Sequence, residues 1–251
     1  LCVGRSARES WLKRKSADMI FFLKRLFRRK LVLLATILLA IFVICALSAP
    51  LIVPFDPSVM KLVRRLKPPS ELYWFGTDEF GRDILSRIIY GARASLGIGL
   101  LVVLFSMSIG TLLGLCAGYV KRLDTPIMRL ADAMMAMPDI LLAIFLMAVL
   151  GPSAGNVVLA LSIVYAPRVV RVVRASTLVV SAMPFVEAAR ALGVSTIRIL
   201  RVHILLNIAS PILVQATFIF AYAVLAEAGL SFLGAGVPPE VPTWGTMIAA
   251  G

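Results

Sequence analysis

The stretch LVLLATILLAIFVICALSAPLIV, from Leu31 to Val53, runs 23 residues without a charged side chain. A helix rises about 1.5 Å per residue, so this length crosses the roughly 30 Å of hydrocarbon in a bilayer. Further along, Ala94 to Val120 forms a second uncharged run of 27 residues. The whole chain agrees with these two segments. Of its 251 residues 60% are hydrophobic and 16% charged, against about 45–50% and 25% in soluble domains. Mean hydropathy is +0.96. A water-soluble fold with that much apolar surface would expose patches that aggregate. Glycine (17), proline (14) and cysteine (3) are too few for a collagen-like, low-complexity or disulfide-stapled chain. The expectation is an all-α membrane protein, a multi-span helical bundle, because lipid forces each span to satisfy its backbone polar groups internally.

Three further spans are expected. Residues 126–150 are apolar apart from Arg129, Asp132 and Asp139 in their first half, and GPSAGN at 151–156 is a turn signal. Residues 157–173 and 208–233 complete a set of five with 31–53 and 94–120. The end, Gly234 to Gly251, holds Pro238, Pro239 and Pro242 and no Lys or Arg, and reads as an outer loop.

Net charge is +13, from 26 cations and 13 acids. A nucleic-acid module would gather its cations on one soluble face, whereas these lie in blocks between apolar runs. Segments 1–30, 120–131 and 167–205 hold ten, three and six cations; segments 51–93, 150–156 and 234–251 hold seven, none and none. Cytoplasmic loops collect Lys and Arg, so the N-terminus is expected inside and nucleic acid is excluded as a partner. In residues 1–30, Met19, Phe22, Leu23, Leu26 and Phe27 recur at helical spacing against Lys24, Arg25, Arg28 and Arg29. That segment reads either as an amphipathic helix on anionic membrane lipid or as a basic flank orienting the first span.

Several chemistries are absent. There is no G-x-x-x-x-G-K-[ST] phosphate loop, and the single histidine, His203, cannot build a His-ligated metal site or a nucleophile–base triad. Cys45 and Cys116 lie in apolar runs and Cys2 near the start, with no CxxC. Gly110, Gly114 and Gly118 form a small-residue stripe that lets another helix approach closely. Glu227 lies in the outer half of the fifth span. An acid there could be a proton or ion site, or could pair with a neighbouring helix or reach the interface.

The most informative segment is EAARALGVSTIRILRVHILLN, residues 187–207. Glu187, Ala188, Ala189 and Arg190 open a strong helix-forming run, and Gly193 can adopt a left-handed conformation that stops it. A second helix carrying His203 and Leu206 then leads into the membrane. Two short helices joined at a glycine make a knob that another protein can grip; the plainer reading is an amphipathic connector.

This segment resembles the cytoplasmic coupling loop of binding-protein-dependent ABC importer permeases, in the branch that moves dipeptides, oligopeptides or nickel. Three other segments carry the same resemblance: FGTDEFGRDILSR (75–87) with GAR (91–93); MRLAD (128–132) with Pro138; and LAEAGLSFLG (225–234) with PTWG (242–245). Together they cover residues 75–251, about 70% of the chain. The resemblance implies a type I importer permease, with a coupling loop at about 174–206 touching ATPase subunits through Glu187, Ala188, Ala189, Arg190, Gly193, His203 and Leu206. It places Gly76, Thr77, Asp78, Gly81, Arg82 and Asp83 in a periplasmic signature, whose acids cap the second span or pair with Arg82 or Arg87. That signature either fixes the start of the span or meets the binding protein.

The implied assembly sits in the bacterial inner membrane. It contains a second homologous permease subunit, two ATPase subunits that hold ATP, and a periplasmic substrate-binding protein. This chain would bind no cofactor or metal and supply no catalytic residue. Leu206 stands where the family has a proline, which leaves the turn into the fifth span less rigidly set. The family has six spans, so a sixth is expected beyond Gly251. The rival reading is an ion-coupled secondary transporter or channel using Glu227, Asp132 or Asp139. A membrane-embedded enzyme lacks the residues it would need.

Overall fold

The computed structural model describes residues 29–250 and is built from helices. The basic segment read as amphipathic, residues 1–30, lies almost wholly outside the described residues. In chain order the helices are α1 (Lys30–Ile52), α2 (Ile84–Tyr119), α3 (Lys121–Met135), α4 (Asp139–Leu150), α5 (Ala154–Ser181), α6 (Pro184–Ala191), α7 (Thr196–Arg198), α8 (Ala209–Phe232) and α9 (Trp244–Ala250). Among the described residues four helices, α1, α2, α5 and α8, are long and apolar enough to cross a membrane. The count rises to five if the bent pair α3–α4 is one pass.

Two spans match their expected bounds closely, α1 and α8. The others differ, each for a physical reason. The second span, expected at 94–120, begins ten residues earlier at Ile84. Asp83 starts it, its carboxylate accepting the Ser86 amide at 2.8 Å, which satisfies a donor the first turn leaves free. Arg87 does not interrupt the helix because it is buried with Asp78 3.7 Å away. The third span, expected as one helix over 126–150, is two helices bent by 93°. Pro138 sits at the joint: it has no amide to donate and disfavours helical backbone at Met137. The fourth span, expected over 157–173, runs from Ala154 to Ser181. Three arginines expected to end it are carried inside the helix by acid partners. The connector expected from 174 therefore starts only after Ser181. Residues 234–251, expected as an outer loop throughout, return to helix at Trp244.

The glycine stripe sets the packing of α2 on α5. A Cβ at Gly110 would lie 2.4 Å from Val169 Cβ, at Gly114 2.7 Å from Val173 Cβ, and at Gly118 2.6 Å from Thr177 Cβ. Both partners advance by four residues together, so α2 and α5 run parallel with their i+4 rows in register. A Cβ at Gly114 would also lie 2.9 Å from the Val170 carbonyl oxygen, which no rotamer change can move. Gly114→Val is expected to destabilise the bundle by about 1–3 kcal/mol through overpacking, seen as a lower midpoint for thermal unfolding in detergent. Gly97→Ala, with nothing within 4 Å of its Cβ, serves as control. Equal midpoints for the two variants would show that the helix separation is set elsewhere.

α8 packs antiparallel to α2: Gly99 of α2 lies under Val224 and Phe220 of α8, and Ser95 bonds Glu227. α9 docks where α2 begins and α8 ends, and α1 leans on it through an edge-to-face contact of Phe42 with Trp244, 5.6 Å between ring centres.

Candidate functional site

At the end of the bundle where α2 and α5 finish, Pro184 starts α6 at the position where a missing amide costs nothing. Val186 and Ala189 are buried and turn one face of α6 inward. Glu187, Ala188, Arg190 and Leu192 are exposed. Arg190 ties the helix down: its Nε donates to the Tyr119 hydroxyl at 3.1 Å and its guanidinium lies 4.7 Å from that ring centre. Glu187 makes no ion pair among the described residues.

The helix closes on Gly193, whose φ is +74°. The Val194 amide donates to Ala189 O at 3.1 Å and the Gly193 amide to Arg190 O at 2.9 Å. This is the paired hydrogen bonding of a Schellman cap, which needs a left-handed residue at Gly193. Helix α7 then runs into one wide turn, Ile199–Ile204, closed by the Leu205 amide on Leu200 O at 2.8 Å. His203 is half-buried, 6.5 Å from the Phe185 ring. Leu206 is exposed. Of the coupling residues expected from sequence, Glu187, Ala188, Arg190, Gly193 and Leu206 are exposed, His203 is half-buried and Ala189 is buried.

The signature residues 76–83 lie at the opposite end, where they fold the loop before α2. Thr77, Arg82 and Asp83 are buried. The Asp78 carboxylate accepts the Phe80 amide at 2.9 Å, the Arg82 amide at 2.8 Å and Arg82 Nε at 2.7 Å. Gly76 and Gly81 have φ of +77° and +71°, and a Cβ on Gly81 would lie 2.0 Å from Lys61 O. The geometry is that of a structural plug. Around these buried groups the loop exposes Leu72, Trp74, Phe75, Glu79 and Phe80.

Glu227 is fully buried. Its two oxygens accept hydroxyl protons from Ser95 and Ser231, each at 2.9 Å. Those hydroxyls in turn accept the backbone amides of Trp244 at 3.1 Å and Val237 at 3.2 Å. The acid is therefore the centre of a polar knot joining α2, α8 and the chain after α8.

Sequence reasoning missed two things. One is the pair of serines on Glu227. The other is a series of three ion pairs along α5: Arg168 with Asp139, Arg171 with Asp132 at 2.6 Å, and Arg174 with Asp124. The signal was available, since arginines at intervals of three on one helix face oppose acids in reverse chain order. A metal-holding cluster of His, Cys, Asp or Glu is absent among the described residues.

Residues 106–251, more than half of the chain, match the family model described as the binding-protein-dependent transport system inner membrane component. Residues 21–69 match the N-terminal transmembrane domain of oligopeptide transport permease C. A putative peptide transport system permease of Brucella suis is 46% identical over 94% of this chain and 79% of its own length. A di/tripeptide transport permease of Pseudomonas aeruginosa is 46% identical over 83% and 71%, and a dipeptide transport permease of Alkalihalophilus pseudofirmus 43% over 90% and 75%. With α6 and its glycine cap inside the matched region, the chain belongs to the binding-protein-dependent transport family, as a multi-pass permease subunit of an ABC importer.

Proposed function

We propose that this subunit pairs with a second, related permease to form a path for short peptides across the inner membrane, driven by two ATPase subunits docked on α6. The observation that carries the reading is the exposed face of α6, Glu187, Ala188, Arg190 and Ala191, closed by the left-handed Gly193 cap, at the end of the bundle where the arginines gather. ATP binds to the partner subunits, and a periplasmic binding protein delivers substrate at the opposite end, by the loop around Asp78. The relatives named as peptide and dipeptide permeases support the substrate class. The charge distribution supports a cytoplasmic N-terminus. ATP closure of the ATPases pushes on α6, and Arg190 on Tyr119 passes that movement to α2.

The test is uptake by the complex in proteoliposomes, with a proton ionophore present. ATP-dependent uptake of a dipeptide should persist with the proton gradient collapsed; its loss would favour the ion-coupled rival. Sidedness is checked with Glu79→Cys in a background lacking the native cysteines. A membrane-impermeant maleimide should label it from outside whole spheroplasts, and labelling only in inverted vesicles would reverse the topology.

A further inference from the structure

Of the three ion pairs along α5, one is out of place for a helix facing lipid. Arg168 lies 14 residues into the 28-residue α5, about 20 Å from either end. Its partner Asp139 is the first residue of α4, just past the break at Pro138. The two side chains keep 31% and 34% of their surface exposed. Arg171–Asp132 and Arg174–Asp124 are nearer the helix end, where charges can reach the interface. A half-exposed charge pair deep inside a span is costly in hydrocarbon, and such groups face a water-filled path or another protein surface.

Two tyrosines complete the place. The Arg168 guanidinium lies 5.3 Å from the Tyr222 ring centre and 5.7 Å from that of Tyr165. Tyr165 is buried and its hydroxyl donates to Tyr222 O at 3.3 Å. Tyr222 is itself 47% exposed, midway along α8. Beside them a cavity of about 250 Å³ opens between α4, α5 and α8, lined by Asp139, Ala143, Tyr165, Tyr222 and Leu225 among others. Its wall is otherwise apolar apart from the two tyrosines, Asp139 is the charged residue in its lining, and Arg168 adjoins it through its pair with Asp139 and its place over the Tyr165 and Tyr222 rings.

We infer that Arg168, Asp139 and Tyr222 form a station partway along the path that receives the two charged ends of a zwitterionic short peptide, an inference that rests on the peptide-import reading above. Arg168 takes the peptide carboxylate, as a guanidinium fork matches a carboxylate. Asp139 takes the ammonium, which also lies over the Tyr222 ring. The internal ion pair stands in for the substrate between turnovers. When a zwitterion enters, each charge exchanges one partner for another of the same sign, and no charge is left unpaired away from water. A solute with one charged end would strand either Arg168 or Asp139.

The experiment uses the full complex in proteoliposomes, with saturating binding protein loaded with dialanine. Arg168→Gln and Asp139→Asn are each expected to slow dialanine uptake at least about tenfold while keeping at least about half of the ATP hydrolysis, so peptide moved per ATP falls. The concentration of loaded binding protein giving half-maximal ATPase should not move, because that protein docks at the far end of the bundle. The double variant R168Q/D139N should remain impaired, Tyr222→Leu should also be slow, and Tyr222→Phe, which keeps the ring face, should not. Uptake by the double variant within about twofold of wild type would overturn the inference, since neutralising both members repairs a purely structural tie. A parallel fall in uptake and ATP hydrolysis would overturn it as well. A second measurement covers variants that fail to assemble. Tyr222→Cys, without the native cysteines, should react with a water-soluble maleimide when the complex is given ATP without substrate, and be protected when dialanine-loaded binding protein is added. Absence of labelling in every state of the cycle would place this face against protein, not water. If the wild-type complex shows no ATP-driven dialanine uptake, the functional proposal itself fails; normal uptake by wild type and double variant alike removes only the station.

Discussion

Gly193→Val is expected to leave the subunit inserted and assembled yet to abolish uptake and the stimulation of ATP hydrolysis by loaded binding protein. At φ of +74° a side chain costs about 1–2 kcal/mol in backbone strain, and a β-branched one is the worst case. A Cβ there meets nothing within 4 Å, so no neighbour clashes and the strain is entirely local. The chain relieves it by leaving the left-handed region. That breaks the hydrogen bonds from Val194 to Ala189 and from Gly193 to Arg190, and swings α6 against α7. Gly193→Asn is the control, because Asn tolerates the left-handed region, and it should retain most of the stimulation. Glu187→Ala should weaken stimulation more mildly. An exposed pair with an ATPase cation is worth under about 1 kcal/mol, and a desolvated one about 1.5–3 kcal/mol. ATPase activity of the reconstituted complex, with and without loaded binding protein, decides between these outcomes. Undiminished stimulation in Gly193→Val would mean that the segment is only a connector.

The same glycine shows what a sequence discloses. A left-handed stop after a small-residue helix is a local event, written in consecutive residues, and it was legible. So were α1, an uncharged run between Lys30 and Pro54, and α8, an apolar run whose one charged residue is Glu227. The ends of α2 and α5 were not, because counting charges treats an arginine as the edge of a span. Arg168, Arg171 and Arg174 are neutralised by acids 29, 39 and 50 residues away, so the signal lies in the matched order of two distant segments and not in either span alone. The signature at 76–83 was legible as a turn. Its burial was not, since Thr77 is covered by Arg64 and Lys67 folding back over it. Pro138 was visible all along. Its consequence, a 93° break inside an apolar run, follows from the missing amide and not from hydropathy.

The structural importance of Glu227 predicts the second large effect, and it bears on the rival reading of that acid. Ser95 and Ser231 each donate to Glu227 and each accept a backbone amide from the chain beyond α8. That chain also approaches α8 closely: a Cβ at Gly245 would lie 2.6 Å from Ala228 Cα, and one at Gly236 2.5 Å from Ser231 N. Close packing alone cannot replace the acid, because the serine protons would then have no acceptor in a buried site. Glu227→Ala should therefore cost at least about 2–6 kcal/mol, from about 1–3 kcal/mol for each of the two orphaned hydroxyls, before the cavity left behind is added. The loss should appear as a lower unfolding midpoint in detergent, and as faster proteolysis of the exposed turn at Pro239–Val241 well below that midpoint. Glu227→Gln should fall between, since the amide oxygen accepts from one serine while its NH2 meets an oxygen already bonded to a backbone amide. An ion-carrying acid predicts the reverse order of damage: Glu227→Gln would stop uptake completely and leave the midpoint unchanged. If instead Glu227→Ala unfolds at the wild-type midpoint and its 239–241 turn resists protease, the polar knot holds nothing and α9 is kept in place by its glycine contacts alone.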